Sequence, residues 1–303
     1  MITFKKFNLA DFSDSLVVTD ENVARICGIN GDNVFVLPSG EQTKCFARLE
    51  ELCKWFLSKN LHRNGKVVAV GGGVVGDLCG FAASVYMRGV ALTHVPTTLI
   101  AQIDSAIGGK TAIDLDGVKN VVGSFYSADT QIDIDFLQTL PSDQMLNGQG
   151  ELLKYRMLSG KIDSLCSLSE QISECVRYKL QLCKEDPLDK GKRHLLNLGH
   201  TIGHALELYY GIPHGIAVAN GIFYETELAY CLGRCGLDYK TKWQNEVQKA
   251  FPVYSLTEQV LNLTVHDKKN CNQSICFVLP SENGATIFDI ALEDVFASLL
   301  QNK

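Results

Sequence analysis

The sequence RHLLNLGHTIGHALELYYGIPH, from Arg193 to His214, contains four of the seven histidines in the chain. Leucine, isoleucine and alanine surround His200 and His204, so the run predicts a largely apolar helix with both imidazoles on one face. The letters YYGIP then end the helix, and His214 follows where the returning chain could approach His200. Converging neutral imidazoles suit a zinc-like ion, although a histidine on an apolar helix is more often a hydrogen-bonded core residue. A catalytic zinc uses three protein ligands, and this run offers no obvious carboxylate, so we expect one from elsewhere.

Upstream of this run, short apolar strands alternate with helices. Buried strands are predicted at residues 16–19, 33–37, 66–70 and 91–96, and the alternation predicts a parallel sheet with right-handed crossovers. The third strand runs directly into GGGVVGD, at residues 71–77. Such a turn lets backbone N–H groups approach a pyrophosphate at a helix N-terminus. The turn does not match the GxGxxG fingerprint, and tight helix packing would also account for its glycines.

The pattern changes past residue 125. Residues 133–141 close a first domain, and helical periods dominate from residue 144 onwards. A small hairpin is predicted from residues 274–279 and 285–288, followed by a closing helix at 292–300. We therefore predict an α/β N-terminal domain at residues 1–141 and a mostly α-helical C-terminal domain at residues 142–303.

Composition excludes several classes of protein. The 303 residues are 46% hydrophobic, with a net charge of −6 and no Lys/Arg run, so nucleic acid is not an expected partner. No apolar run reaches about 18 residues, so no membrane span is expected. The N-terminus lacks the apolar core of a secretion signal, and a cytoplasmic protein is predicted. Eleven cysteines without framework spacing predict buried free thiols, at Cys79, Cys166, Cys175 and Cys231 among others.

The segment from Val95 to Phe125 reads VPTTLIAQIDSAIGGKTAIDLDGVKNVVGSF and carries the most specific pattern. Lys110 and Lys119 each follow a glycine-containing turn, and lysines held in this way are natural phosphate ligands. Alternating apolar residues from 111 to 122 predict a β-hairpin that turns through Asp116-Gly117.

This segment resembles the 3-dehydroquinate synthase family of the sugar-phosphate cyclase superfamily. The resemblance includes GGGVVGDLCGFAASVYMRG, VPTTLIAQIDSAIGGKTAID, GVKN, GQGELLK and RHLLNLGH, in the family's order and spacing, and ends at HDKKN, residues 266–270. It covers nearly the whole chain. It implies an α/β nucleotide-binding domain followed by a mostly α-helical domain, with the active site in the cleft between them.

The resemblance also implies a role for individual residues. The ligands of zinc (or cobalt) would be Glu151, His200 and His214, so His204 becomes a substrate-phosphate contact instead of a ligand. NAD contacts would fall on Asn22, Glu41, Lys44, Gly73, Val74, Val75, Gly76, Asp77, Thr97, Thr98, Lys110, Lys119, Phe136, Leu137, Gln138 and Thr139. Substrate contacts would fall on Asp104, Lys110, Asn120, Lys154, Lys179, Arg193, Asn197, His204 and Lys268. In a homodimer, Arg88 would reach the neighbouring subunit's site.

The implied reaction converts 3-deoxy-D-arabino-heptulosonate 7-phosphate to 3-dehydroquinate and phosphate, in the shikimate pathway to aromatic amino acids. NAD would be reduced and reoxidised within one turnover, and the enzyme would be a carbon–oxygen lyase. The partner is thus a small anionic sugar phosphate. A local cluster of cations would hold it, even though the whole chain is acidic.

Three positions depart from the family's pattern. Family members commonly have Ala where Gly150 stands and Glu where Ile216 stands, and the latter change removes a possible carboxylate near the metal. Arg156 is also unusual.

Three alternative functions stay open. A cyclase acting on sedoheptulose 7-phosphate or a hexose phosphate would not need Arg193 and Lys179 for a substrate carboxylate. A metal-dependent polyol dehydrogenase would not need GGKTAID or GVKN. A catalytically silent binding relative would not need the complete set of metal ligands and lysines.

Overall fold

The computed structural model describes residues 1–162, 165–264 and 274–300. The chain divides into two compact units, Met1–Met145 and Leu146–Lys303. The assignment of residues 1–141 to NAD binding, and of residues 142–303 to metal and substrate binding, stays a prediction.

Eight strands belong to the first unit. They are β1 (Ile2–Phe4), β2 (Ser15–Asp20), β3 (Val34–Leu37), β4 (Lys66–Gly71), β5 (Ala91–Pro96), β6 (Lys110–Leu115), β7 (Val118–Phe125) and β8 (Asp129–Ile132). Six of them form one parallel sheet in the order β1-β8-β5-β4-β2-β3. Val67 to Val70 of β4 are all buried, as expected of a central strand covered on both faces. The four predicted strands are confirmed, whereas β1 and β8, which are too short for a clear pattern, were missed.

Three helices connect these strands: α1 (Glu21–Cys27), α2 (Phe46–Ser58) and α3 (Gly73–Val85). The Asp20 carboxylate accepts hydrogen bonds from the N–H groups of Asn22 and Val23 at 2.9 and 3.0 Å and so caps the N-terminus of α1. Helix α3 follows β4 directly, and its buried face, including Leu78, packs in the same core as β4.

The predicted hairpin is confirmed. Strands β6 and β7 pair antiparallel, with an irregular register between Ile113 and Leu115. Their two-residue turn has positive φ at both Asp116 (49°) and Gly117 (78°), as a type I′ turn requires.

The second unit is mostly helical. Its helices are α4 (Ser142–Ser159), which begins in the first unit's range, α5 (Leu168–Glu185), α6 (His200–Tyr210), α7 (His214–Cys231), α8 (Leu237–Ala250), α9 (Glu258–Thr264) and α10 (Leu292–Leu300). The strands β9 (Ser274–Ser281) and β10 (Gly284–Ala291) form the predicted hairpin, and α10 is the predicted closing helix. Arg156, the unusual residue of α4, lies 3.3 Å from Glu246 of α8 and ties these two helices together.

One predicted helix boundary is wrong. The apolar run was expected to be helical from Arg193, but residues Lys192–Asn197 form a 3-10 turn and α6 starts only at His200. Gly199 separates the two segments because its φ of +79° lies in the left-handed region. The predicted end is confirmed, since Gly211 caps α6 at φ +66°.

Helices α4, α6 and α7 approach one another through glycines. A Cβ added to Gly150 would lie 1.8 Å from the carbonyl oxygen of Gly215, and one added to Gly221 would lie 1.8 Å from that of Gly199. No side chain fits at either contact, so α7 lies with its backbone against both α4 and the start of α6.

The described cysteines are free. Cys79 and Cys175 are buried as predicted, but Cys231 is exposed because it ends α7, and Cys166 is only half-buried because it precedes α5 in a turn. Within the described ranges, no helix is both long enough and apolar enough to cross a membrane.

Candidate active site

Glu151, His200 and His214 meet in the second unit. Glu151 lies in α4, His200 is the first residue of α6 and His214 is the first residue of α7. One carboxylate oxygen of Glu151, Oε1, lies 3.1 Å from His214 Nε2 and 3.4 Å from His200 Nε2. The Glu151 side chain is only 1% exposed. Glu151 and His214 are 63 positions apart in the sequence. The backbone contacts of α7 with α4 and with the start of α6 bring these residues and His200 to one point.

These atoms fit the requirements of a metal ion. Ligand atoms about 2.1 Å from a tetrahedral ion lie about 3.4 Å from one another, close to the separations measured here. Two histidines and one glutamate also form a known catalytic zinc set with one position left open. Nitrogen atoms of His200, His204 and His214 lie within 4.8 Å of one another, so both ligand sets considered from the sequence converge geometrically. His204 is exposed, whereas Glu151 is buried, and this favours Glu151 as the third ligand.

The pKa shifts of Glu151, His200 and His214 indicate an environment that can hold a cation between them. Burial alone would raise the pKa of Glu151, but the Lys154 ammonium and the two imidazoles hold it well below its usual range. Burial lowers the pKa of His200, which keeps that imidazole neutral and able to act as a ligand. For His214, burial is outweighed by hydrogen bonds with Glu151 and Glu207, which raise its pKa to about 10. The surroundings of His214 are therefore strongly anionic.

Three buried cationic residues, Lys154, Lys179 and Arg193, belong to the same unit as Glu151, His200 and His214. Lys154 is 1% exposed, and its Nζ lies 2.6 Å from Glu151 Oε2. Lys179 of α5 and Arg193 of the 3-10 turn are 5% and 2% exposed. Such groups are costly to bury without anionic or hydrogen-bonding partners, and Arg193 donates to the carbonyl oxygen of Pro187 at 3.2 Å. Asn197, also predicted to contact substrate, is half-buried at the end of the same 3-10 turn.

Lys44 organises the other group of predicted residues, in the first unit. Its side chain is 3% exposed, and Nζ lies 2.9 Å from Asp77 Oδ2, 2.5 Å from Asn120 Oδ1 and 3.2 Å from Glu41 Oε1. Burial alone would lower the pKa of Lys44, but Asp77 and Glu41 raise it, so the ammonium is retained. This cluster joins the 3-10 turn after β3, the second turn of α3 and strand β7.

The other residues predicted to bind NAD lie where parallel strands end. Gly73 to Asp77 follow β4, Thr97 and Thr98 follow β5, and Phe136 to Thr139 lie in a 3-10 segment after β8. These three strands are neighbours in the sheet, and open α/β sheets bind ligands beyond the carboxyl ends of their strands. Asn22 follows β2, where it is exposed and belongs to the capped first turn of α1.

The remaining predicted residues are placed as follows. Asp104 lies in a π-helical turn at Ala101–Ser105, and Lys110 and Lys119 are exposed on β6 and β7. Arg88 is exposed, with φ +63°, at the end of the 3-10 segment after α3. Lys268, with the HDKKN segment, lies outside the described residues.

Sequence reasoning missed three residues near the metal ligands. Glu207 Oε2 lies 2.9 Å from His214 Nδ1, and the Asn147 side chain accepts a hydrogen bond from the Gly215 N–H at 2.6 Å. The Glu225 side chain of α7 accepts a hydrogen bond from the N–H of Gly199, the residue before α6. Only Glu207 had a readable signal, because it lies on the same helical face as His200 and His204. Ile216, which stands where family members commonly have Glu, packs in the apolar core. A carboxylate is still present beside His214, because Glu207 contacts its Nδ1 atom.

Two family models match most of the chain. The model described as 3-dehydroquinate synthase N-terminal matches residues 34–147, and the one described as 3-dehydroquinate synthase C-terminal matches residues 148–270. A curated 3-dehydroquinate synthase from Alkaliphilus metalliredigens (strain QYMF) is 37% identical over 300 residues, which cover 89% of this chain and 84% of that protein. One from Staphylococcus aureus (strain Newman) is 34% identical over 319 residues, covering 96% and 89%.

Solved structures share the fold at lower identity. A 2-deoxy-scyllo-inosose synthase complexed with carbaglucose-6-phosphate, NAD+ and Co2+ has a TM-score of 0.84 and 24% identity, covering 99% of this chain and 96% of that one. ValA (2-epi-5-epi-valiolone synthase) from Streptomyces hygroscopicus subsp. jinggangensis 5008, with NAD+ and Zn2+ bound, has a TM-score of 0.82 and 24% identity, covering 99% and 95%. These likenesses confirm the predicted fold class, an α/β N-terminal part with a mostly α-helical C-terminal part.

Proposed function

Because this chain belongs to the 3-dehydroquinate synthase family, we propose that it converts 3-deoxy-D-arabino-heptulosonate 7-phosphate to 3-dehydroquinate and inorganic phosphate in the shikimate pathway. The observation that carries the proposal is the buried convergence of Glu151, His200 and His214 in a chain that matches the family over most of its length. Loss of phosphate by elimination makes the enzyme a carbon–oxygen lyase.

The proposed cofactors are NAD and a divalent metal, zinc or cobalt. Structural neighbours that bind NAD+ together with Co2+ or Zn2+ support this pairing. Glu151, His200 and His214 would hold the metal, which supplies Lewis-acid polarisation of a substrate hydroxyl and ketone. NAD supplies a hydride acceptor that is regenerated within the turnover. The residues after β4, β5 and β8 would bind NAD, and the contact of Lys44 with Asp77 would hold the N-terminal part of α3 in place.

The chain's own residues would bind the substrate by charge. Lys110, Lys179, Arg193 and Lys268 would hold the phosphate dianion and the carboxylate through charge-assisted hydrogen bonds. Lys154 would remain in contact with the ionised Glu151 carboxylate. Asp104, Asn120, Asn197 and His204 would orient the hydroxyl and phosphate groups. The presence of Lys179 and Arg193, which the family resemblance assigns to substrate binding, favours a substrate that carries a carboxylate.

We also propose a homodimer in which Arg88 contributes to the partner's site. Arg88 is exposed and has no ion-pair partner among the residues that the structure describes. Val85 and Met87 beside it are also exposed, at 48% and 41%. The hairpin of β6 and β7 adds Leu115, Val118, Val121 and Phe125, each more than 40% exposed. Exposed apolar residues on neighbouring elements are typical of a surface that a partner covers.

The test is phosphate release from the heptulosonate 7-phosphate by purified protein with NAD and Zn2+ or Co2+. We expect turnover with this substrate and none with sedoheptulose 7-phosphate, which lacks the carboxylate. Lys179→Ala should lose turnover, whereas Lys184→Ala, an exposed change on the same helix, should retain it. Release from sedoheptulose 7-phosphate alone would reject the proposed substrate and favour another cyclase.

A further inference from the structure

We infer that two carboxylates exchanged between α6 and α7, Glu207 and Glu225, position the metal-binding histidines of each other's helix. The inference rests on the proposed metal site and adds the residues that orient its ligands. Each carboxylate lies on one helix and holds the first residues of the other.

Glu207 acts from α6 on the first residue of α7. Its Oε2 lies 2.9 Å from Nδ1 of His214, while Nε2 of the same ring points to Glu151 Oε1 at 3.1 Å. A carboxylate at Nδ1 accepts a hydrogen bond from the proton on that nitrogen, so Nε2 is the nitrogen that a metal ion can take as its ligand. It also fixes the plane of the ring. Glu207 thus determines both the tautomer and the orientation of His214.

Glu225 acts from α7 on the first turn of α6. It is fully buried, and its Oε2 accepts a hydrogen bond from the Gly199 N–H at 2.6 Å. Its Oε1 lies 3.4 Å from the N–H of Ile202. Free N–H groups at a helix start bind anions well, so this carboxylate caps α6 directly around His200. His200 additionally contacts the Leu198 carbonyl oxygen through Nδ1, at 3.1 Å.

The close approach of the two helices makes this exchange possible. Because Gly199 and Gly221 allow backbone contact, Glu225 reaches the start of α6 although it lies near the middle of α7. A shift of either helix would lengthen both the Glu207 and the Glu225 hydrogen bonds. Metal affinity therefore depends on two side chains that are not ligands.

The experiment compares metal binding by the full chain and three isosteric variants. Glu207→Gln and Glu225→Gln change the proposed residues, and Glu227→Gln is the matched control. Glu227 lies two residues along α7 and pairs with Lys240 and Gln244 instead of the site. Co2+ affinity is measured by competition with a chromophoric chelator, and the visible spectrum is recorded at saturating Co2+. Circular dichroism of the metal-free proteins reports folding.

We expect Glu207→Gln and Glu225→Gln to weaken Co2+ binding by about 10- to 100-fold and to alter the spectrum, with Glu227→Gln unchanged. Unchanged affinity and spectrum in both variants would overturn the inference, even if they unfold more easily, because that result shows a structural role only. If the wild-type chain itself binds no Co2+, the metal site of the proposed function fails, and the inference fails with it.

Discussion

His214 is the ligand whose removal tests the metal site most directly. The change His214→Ala leaves Glu151 and His200 as the only members of the proposed set, and two protein ligands hold zinc poorly. We expect the purified variant to contain well under one metal ion per chain by elemental analysis, against about one in the wild type. His62→Ala, at an exposed position, is the control. Stoichiometric metal in the His214 variant would show that the ligand set is wrong.

His94 should make the folded protein sensitive to acid. It is 5% exposed on β5, and burial lowers its pKa from 6.5 to about 4. Between these values the folded protein binds fewer protons than the unfolded chain, so stability is lost as the pH falls through this range. The expected loss between pH 7.5 and pH 5 is about 2 kcal/mol in the free energy of unfolding.

Urea denaturation of wild type and His94→Leu at the two pH values measures this loss. In the His94→Leu variant, the free energy of unfolding should change between pH 7.5 and pH 5 by about 2 kcal/mol less than in the wild type. This holds whatever the absolute stability of the variant. The same change at exposed His62 should leave the wild-type difference in place. An equal acid sensitivity in the His94 variant would mean that other groups cause it.

Single residues differ in how far the sequence could reveal them. Glu151, His200 and His214 lie in motifs whose spacing could be recognised, and the structure gathers them at one point. Glu225 could not be found, because its partner N–H groups depend on how α6 packs against α7, which residue periodicity does not specify. Lys44 was predicted to contact the cofactor, but its cluster with Asp77 and Asn120 was not foreseen, because it joins segments far apart in the chain.

At the scale of helices, the contact of α4 with α7 leaves no room for a methyl group. Gly150→Ala would place a Cβ 1.8 Å from the Gly215 carbonyl oxygen, so the two backbones must separate. We expect a destabilisation of about 1–3 kcal/mol by urea denaturation. Metal affinity should fall as well, because Glu151 and His214 are the adjacent residues of the two helices.

Gln149→Ala, at an exposed position in the same turn of α4, is the control and should stay within about 0.5 kcal/mol of wild type. Full stability of Gly150→Ala would mean that α4 and α7 are spaced more widely than described. That result would also mean that having Gly at position 150, where the family commonly has Ala, does not affect stability.

The sequence predicted secondary structure best where neighbouring residues alone determine the backbone conformation. The alternating apolar residues and Asp116-Gly117 located the β6–β7 hairpin. The start of α6 was misplaced because the apolar period continues through a segment that Gly199 interrupts with a left-handed backbone. Strand β1 was missed because three residues show no period, and its partner strand is distant in sequence.

For the whole enzyme, we expect NAD to act as a recycled cofactor. The proposed site couples a nucleotide-binding unit to loss of phosphate, with no second redox substrate to accept the hydride. Absorbance at 340 nm should therefore stay flat while phosphate is released over many turnovers. NADH accumulating in step with product would contradict the proposal and favour a polyol dehydrogenase.

Complementation between chains tests the homodimer. Arg88→Ala should lower the rate by about a hundredfold or more if the guanidinium clamps phosphate in the partner's site, against a small effect for an ordinary surface arginine. Arg88→Ala and Lys154→Ala chains are then mixed and allowed to re-associate. One site of each heterodimer would carry both defects and the other neither, so activity should reappear. Heterodimers that form and stay inactive would assign Arg88 to its own chain or to no role.

The pairing of β1 with β8 bears on the order in which the protein can fold. The Met1 ammonium lies 2.6 Å from the carboxylate of Asp129, 128 positions further along the chain. Strands β2, β4 and β5 pair with nearer neighbours and close shorter loops, which costs less chain entropy. At about 5–20 residues per second, a ribosome needs roughly 6–25 s to deliver β8 after β1. We therefore expect β1, although it is made before the other strands of its sheet, to be among the last to enter that sheet. Its pairing with β8 has a high contact order and should form after the central strands have paired.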